Sequence, residues 1–122
     1  MFTQPEIEYL NAQPLARMAT VSSQQQPDVA AVGFDFDGEY FYVSGMRNQR
    51  TLKYKNVAAG NDKVSLVVDD LASRDPWQPR GIKIHGSADL VERKGYAGEK
   101  QYLRIKPERK WSWGIEKPVF TN

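Results

Sequence analysis

The 122-residue chain contains no cysteine and a single histidine, His85. The first absence excludes disulfides and thiolate metal sites; the second excludes a histidine-rich metal centre within one chain. No apolar run approaches the roughly 18 residues of a transmembrane span, so no membrane partner is expected. An excess of one charge is lacking too: 17 basic and 15 acidic residues leave a net +2. That balance is too mild to predict nucleic-acid binding. The opening MFTQPEIEYL carries acids where a signal peptide would carry basic residues ahead of an apolar stretch, and a cytoplasmic protein is expected. Ser-His-Asp arrangements, a nucleophile elbow and a glycine-rich phosphate loop are all missing. The length suits one domain, residues 1–122, with a small core.

What is present reads mostly as strands. Residues 3–11 form a short helix: Thr3 is placed to N-cap it, Pro5 lies in its first turn, Glu6 has capping-box spacing and Pro14 ends it. LARMATVSS, 15–23, alternates Leu15, Arg17, Ala19 and Val21 against Ala16, Met18 and Thr20, the period of a strand. DVAAVGFDF, 28–36, is a second strand in which Gly33 marks a bulge or a close approach. Asp37-Gly38 signals a hairpin to a third, 39–45. Residues 49–59 space Leu52, Tyr54, Val57 and Ala58 as a second helix, with Gly60 at its C-cap. DKVSLVVDD, 62–70, is nearly continuous in apolar character and suits a central strand. Residues 71–81 read as a loop, 81–91 as a strand and 91–100 as a polar turn. Two short strands, 101–107 and 110–116, close the chain. Six or seven strands at hairpin spacing predict a mainly-β domain with two short helices, closed as a barrel because closure removes exposed edges.

The densest run of one charge is SGMRNQRTLKYKN, 44–56, where Arg47, Arg50, Lys53 and Lys55 fall within nine positions without an acid. On a helix Arg50 and Lys53 share a face. Cations at a helix N-terminus oppose its dipole. An arriving anion reverses that penalty, with free N–H groups, the basic side chains and the Thr51 hydroxyl converging on one phosphate. A solvated basic helix face accounts for the same residues without a ligand. Trp111 and Trp113 are two apart and project to the same side of a strand. That spacing suits a core, a dimer interface or a wall for a flat ring. Pro76 and Pro79 bracket Trp77 in a loop, which favours a site wall over the core. His85 reads as a surface residue, and Asp69-Asp70 as a turn and N-cap pair. No metal is expected, and no acid–base group emerges, so the catalytic residue is unknown.

Together the blocks LARMATVSSQQQPDVAAVGF, RTLKYKN, DDLASRDPWQPRG and KPERKWSWGIE resemble the pyridoxamine-phosphate-oxidase-like split β-barrel family. Within it the chain is most similar to the deazaflavin-dependent branch, which includes a reductase of tetracycline biosynthesis. The resemblance implies a split β-barrel homodimer with cofactor sites at the subunit interface. It implies a phosphate held by Arg50, Thr51 and Lys53, and a ring lying near Met18, Ala19, Thr20, Val32, Gly33 and Phe34. Trp77, Arg80, Trp111 and Trp113 are expected to approach from the partner chain. The implied cofactor is F420, with FMN as the alternative. Arg47 and Lys55 suit the acidic tail that F420 carries beyond its phosphate. The implied activity is hydride transfer to a small organic substrate. The competing readings are an FMN-dependent oxidase or reductase and a flavin-binding protein without turnover. Pyridoxamine phosphate oxidase activity itself is not expected, because the chain is short and lacks an added substrate-phosphate motif.

Overall fold

The computed structural model describes residues 1–45 and 47–120. The N-terminal helix α1, Gln4–Ala12, begins as its sequence directs. Thr3 Oγ1 accepts the Glu6 N–H, and Glu6 Oε1 accepts the Thr3 N–H at 2.8 Å. Glu6 is buried, and its carboxylate also pairs with Lys110, tying α1 to the far end of the chain. Burial alone would push this carboxyl up. Hydrogen bonds from Lys110, the Thr3 N–H and Ser112 outweigh that and hold it below the usual carboxylate value.

Seven strands follow: β1 Ala16–Val21, β2 Pro27–Val32, β3 Asp35–Phe36, β4 Phe41–Val43, β5 Lys63–Ser73, β6 Gln78–Gly95 and β7 Gly98–Trp113. They form one antiparallel sheet in the order β2-β1-β5-β6-β7-β4-β3, the split-barrel arrangement expected. A 3-10 turn, Asn48–Arg50, and helix α2, Leu52–Ala58, connect β4 to β5. Alternation decides which side chains point inward. Ala16, Met18, Leu66, Val68, Ile82 and Ile84 fill the core from neighbouring strands, and Phe41, Val43, Leu103 and Ile105 fill it from the other half. No helix among the described residues is long and apolar enough to cross a membrane.

The β6–β7 hairpin belongs to both halves. Near its open end β6 pairs with β5, from Lys63↔Ser87 to Ser73↔Gln78. Beyond this, β7 pairs with β4, from Phe41↔Ile105 to Val43↔Leu103. Between the two regions the register jumps from His85↔Arg109 to Gly86↔Pro107, leaving Glu108 as an extra residue. Such a bulge bends the ladder. Here it coincides with a backbone contact so close that a Cβ on Gly86 would lie 2.2 Å from the Lys106 carbonyl oxygen.

Several boundaries differ from those expected. The segment 71–81 is a loop only at residues 74–77, because β5 and β6 run into it from both sides. The polar stretch 91–100 is strand except for the turn at 96–97, and the two closing strands are one, Gly98–Trp113. The 28–36 strand breaks at Gly33 and Phe34, where the Tyr96 ring crosses 3.0 Å from the position of a Gly33 Cβ. Asp69 and Asp70 are not a turn and cap. They lie within β5 and bind Arg17 and Arg80.

We predict that Gly86→Ala destabilises the fold by about 1–3 kcal/mol, the range for forcing extra atoms into a packed site. Chemical unfolding of the purified variant measures this. Unchanged stability would mean that the ladder relaxes freely at the bulge.

Candidate functional site

The basic segment 44–56 folds into two pieces rather than one helix. α2 starts only at Leu52, with Thr51 as its N-cap, so Arg47 and Arg50 precede it. Arg50 and Lys53 therefore do not share a helical face. The Thr51 hydroxyl is engaged within the segment, donating to the Asn48 carbonyl at 2.6 Å and accepting the Tyr54 N–H at 3.3 Å. Arg47, Arg50 and Lys55 are exposed, whereas Lys53 is only 6% exposed.

Lys53 is the unusual member of the set. No salt bridge to it is found among the described residues. Burial pushes its ammonium below the ordinary lysine value, and the charge of Asp28 on β2 only partly opposes this. A buried cation without a close partner is costly, and such groups concentrate at sites that receive an opposite charge. The helix carrying it is fixed to the sheet: Asn56 Nδ2 donates to Thr20 Oγ1 at 2.9 Å, both residues being buried. One hydrogen bond thus joins the candidate phosphate segment to strand β1, the candidate ring wall.

The wall residues divide by strand alternation. Ala19 and Thr20 line a cleft of about 410 Å³ that also borders Ser65 and His85. The register places Ala19, Ser65, His85 and Arg109 in one row across four strands. Met18 is fully buried in the core and backs this wall from behind, and Val32 is buried as well. Gly33 lies under Tyr96, while Phe34 is half-buried and tilts against Phe41 with ring centroids 5.9 Å apart.

Trp77, Trp113 and Arg80 do not line this cleft, whereas Trp111 abuts two residues that do, His85 and Arg109. Trp111 and Trp113 pair with Lys83 and Gly81, on the face opposite to Ile82 and Ile84. Trp111 is surrounded by positive charge, with Lys83 Nζ 4.6 Å and Arg109 Cζ 4.8 Å from its ring centroid. The His85 ring meets it edge-on at 4.7 Å. Trp113 covers Gly81 so closely that a Cβ there would lie 2.3 Å from its ring. Trp77 stands 55% exposed in the turn between β5 and β6. Arg80 is already committed, clamping Asp70 through two hydrogen bonds of 3.0 and 2.6 Å. Tyr9 completes that cluster at 2.9 Å from Asp70, and its phenol is pushed up by burial and by the carboxylate it binds.

One polar residue escapes sequence reasoning. Asn48 is 6% exposed, and neither atom of its carboxamide has a hydrogen-bond partner among the described residues. Each such unmet group costs about 1–3 kcal/mol. It lines a cleft of about 400 Å³ with Arg47, Arg50, Lys100 and Gln101. Lys53, Thr51 and Lys55 do not line this cleft. An asparagine inside a basic run carries no periodic signal, so only the fold exposes its isolation.

Comparisons with known proteins place this architecture. The family model described as pyridoxamine 5'-phosphate oxidase matches residues 3–114. A 5a,11a-dehydrotetracycline/5a,11a-dehydrooxytetracycline reductase of Streptomyces rimosus subsp. rimosus is 39% identical, over 98% of this chain and 88% of its own. A conserved hypothetical protein of Mycobacterium tuberculosis superposes with a TM-score of 0.71 at 19% identity, covering 100% of this chain and 92% of its own. A protein described as an F420 reductase gives 0.66 at 21% identity, covering 85% of this chain and 94% of its own. The chain belongs to the pyridoxamine 5'-phosphate oxidase family. Within that family it is an oxidoreductase.

If Lys53 is held without a counter-charge, Lys53→Met should raise the stability of the ligand-free protein by about 1 kcal/mol or more. The pH dependence gives a second reading. A lowered lysine pKa means that the folded chain binds fewer protons than the unfolded chain at alkaline pH below 10.5. Wild-type stability should gain from this group as pH rises through that window, and Lys53→Met should lose the gain. Thermal unfolding across the window checks both; a variant less stable than wild type would show that Lys53 is a structural cation.

Proposed function

We propose that the protein is a reductase that binds a deazaflavin of the F420 type, with FMN as the competing cofactor, and transfers hydride to a small organic substrate. The observation that carries this reading is Lys53: a largely buried lysine with no ion-pair partner among the described residues, on a helix that docks against β1. An incoming phosphate would supply the missing charge, and ionic hydrogen bonds are the strong ones. Arg50 and Thr51 flank Lys53 in the same segment. The fit is electrostatic at Lys53, while Thr51 contributes chiefly by shaping the turn.

The bound cofactor would supply the hydride, and the chain's own residues position it. Ala19 offers strand surface for a ring, while Thr20 points to the opposite face of β1, where the Asn56–Thr20 hydrogen bond holds the helix that carries Lys53. The extra cations Arg47 and Lys55 support a ligand with negative charge beyond one phosphate, as F420 has and FMN has not. The relative named as a dehydrotetracycline reductase supports reduction over oxidation as the direction.

We further propose a homodimer with the cofactor at the interface. Apolar surface remains open at Trp77 in the β5–β6 turn and at Val29 on β2, exposed at 55% and 68%, and Trp111 and Trp113 are half-buried on β7. A second copy would cover this apolar surface and place Trp77 against the ring. Trp77→Ala should then weaken cofactor binding while shifting stability by no more than about 0.5 kcal/mol, the range for surface changes. Light scattering at micromolar concentration should show a dimer; a monomer would remove the two-chain site.

The test of the cofactor reading is a titration of F420 and of FMN against wild type and Lys53→Ala at two salt concentrations. Loss of one ionic hydrogen bond, about 1.5–3 kcal/mol, should weaken binding roughly ten- to a hundredfold. Arg47→Ala and Lys55→Ala should cost less, in a salt-sensitive manner, for F420, and almost nothing for FMN. Unchanged affinity of Lys53→Ala for both cofactors would return the basic run to a solvated surface.

A further inference from the structure

Gly33 and Phe34 join β2, one edge of the sheet, directly to β3, the other edge, so they form the seam of the barrel. The β3–β4 register, Asp35↔Tyr42 and Phe36↔Phe41, would set Gly33 opposite Ser44 if it ran two residues further. Asp37 N–H donates to the Tyr40 carbonyl at 3.2 Å, which makes every second pair from there a hydrogen-bonded one, Gly33 with Ser44 included. The ladder instead stops at Asp35↔Tyr42, and the Tyr96 side chain stands where Gly33 would pair. Its hydroxyl accepts the Ser44 N–H at 2.7 Å and donates to the Ser44 carbonyl at 2.7 Å, meeting both groups that Gly33 would have met. Its ring lies 3.0 Å from the position of a Gly33 Cβ.

This wedge is held from both sides. Tyr96 belongs to the turn between β6 and β7, and its N–H donates to Asp35 Oδ2 at 2.8 Å. Arg93 Nη1 binds the same oxygen at 3.0 Å. The Ala97 N–H donates to the Tyr102 hydroxyl at 2.9 Å, which donates to the Gly98 carbonyl at 2.7 Å. From β7, the Gln101 carbonyl accepts the Ser44 hydroxyl at 3.0 Å, and Lys100 Nζ donates to the Gly45 carbonyl at 3.1 Å. The polar hairpin tip is thus fastened to β3 on one side and to the exit of β4 on the other.

Ser44 opens the basic segment, and Gly33 and Phe34 end the candidate ring wall, so one side chain touches both. We propose that Tyr96 is a positioning residue for the cofactor: a wedge across the barrel seam that fixes where the segment carrying Arg50, Thr51 and Lys53 begins relative to the ring wall. The proposal rests on the cofactor reading above. A ligand gripped at its ring by one segment and at its phosphate by another gains from both only when their spacing is set before it arrives. The hydroxyl and the ring have separate tasks. The hydroxyl holds Ser44 and so the phosphate end; the ring holds Gly33 away from β4 and so the ring end. Tyr96→Phe removes the first task and keeps the second.

The experiment compares ligands with and without the phosphate: FMN against riboflavin, and F420 against its ring–ribityl fragment. Each is titrated into wild type, Tyr96→Phe and Lys53→Ala. Wild type should prefer the phosphorylated member of the pair it binds. Tyr96→Phe should lower that preference about tenfold, the scale of one misaligned ionic hydrogen bond, while the phosphate-free member binds as before. In the ligand-free protein the Ser44 amide should exchange hydrogen slowly in wild type and faster in Tyr96→Phe, with the amides of β5 unchanged. An undiminished preference in Tyr96→Phe would overturn the proposal. Equal weakening of both members of a pair, with a lower melting temperature, would overturn it too, because a purely structural side chain acts that way. In either case a preference lost in Lys53→Ala leaves the cofactor reading standing. A wild type without any preference for the phosphorylated member, matched by Lys53→Ala, would remove the cofactor reading and this proposal together.

Discussion

The close approach of Gly86 to the Lys106 carbonyl is the constraint on which the barrel depends. A hairpin as long as β6–β7 would, if regular, continue as one twisted ribbon without a sharp bend. The extra residue Glu108 and the side-chain-free Gly86 let it bend where it passes from one half of the sheet to the other. One side of the bend then supports β5, β1 and β2, and the other supports β4 and β3. His85 and Arg109, the last regular pair before the bend, also end the row that begins at Ala19. The bend and the candidate ring cleft are therefore parts of one piece of geometry.

Among the described residues, Lys53 and Asn48 lack side-chain partners, and both lie in the segment after β4. Asn48 is a buried carboxamide with both atoms unpartnered, and Lys53 is a largely buried lysine without an ion pair. The rest of the chain handles similar groups differently. Glu6 has Lys110 and the Thr3 N–H, Asp70 has Arg80 and Tyr9, and Asn56 has Thr20. On the cofactor reading proposed above, a ligand would supply the partner that Lys53 lacks.

Features governed by local chemistry were legible in the sequence. The Thr3–Glu6 capping box needs only four residues, and Gly60 follows α2 with φ of 98°, as a residue beyond a helix end often requires. Gly33 was legible as a close approach, although the Tyr96 ring responsible lies far along the chain. Strand lengths were not legible, because residues 91–100 are polar on an exposed hairpin and resemble a turn. The basic segment misled in a similar way. Its composition suggests one helix with Arg50 and Lys53 together, whereas Thr51 takes the cap and α2 starts three residues later than expected, at Leu52. The burial of Lys53 follows from the docking of α2 on β1, a tertiary fact that no local pattern encodes. Arg80 looked available for a ligand in the sequence; only the fold shows it clamped by Asp70.

The central claim is that this barrel selects a deazaflavin through charge placed after β4. Its most direct measurement is competitive uptake. The purified protein is incubated with equal amounts of F420 and FMN, freed of unbound ligand, denatured, and the released small molecule is identified by mass. The account predicts F420 as the dominant species from wild type, and little of either cofactor from Lys53→Ala. FMN as the dominant species from wild type would contradict it.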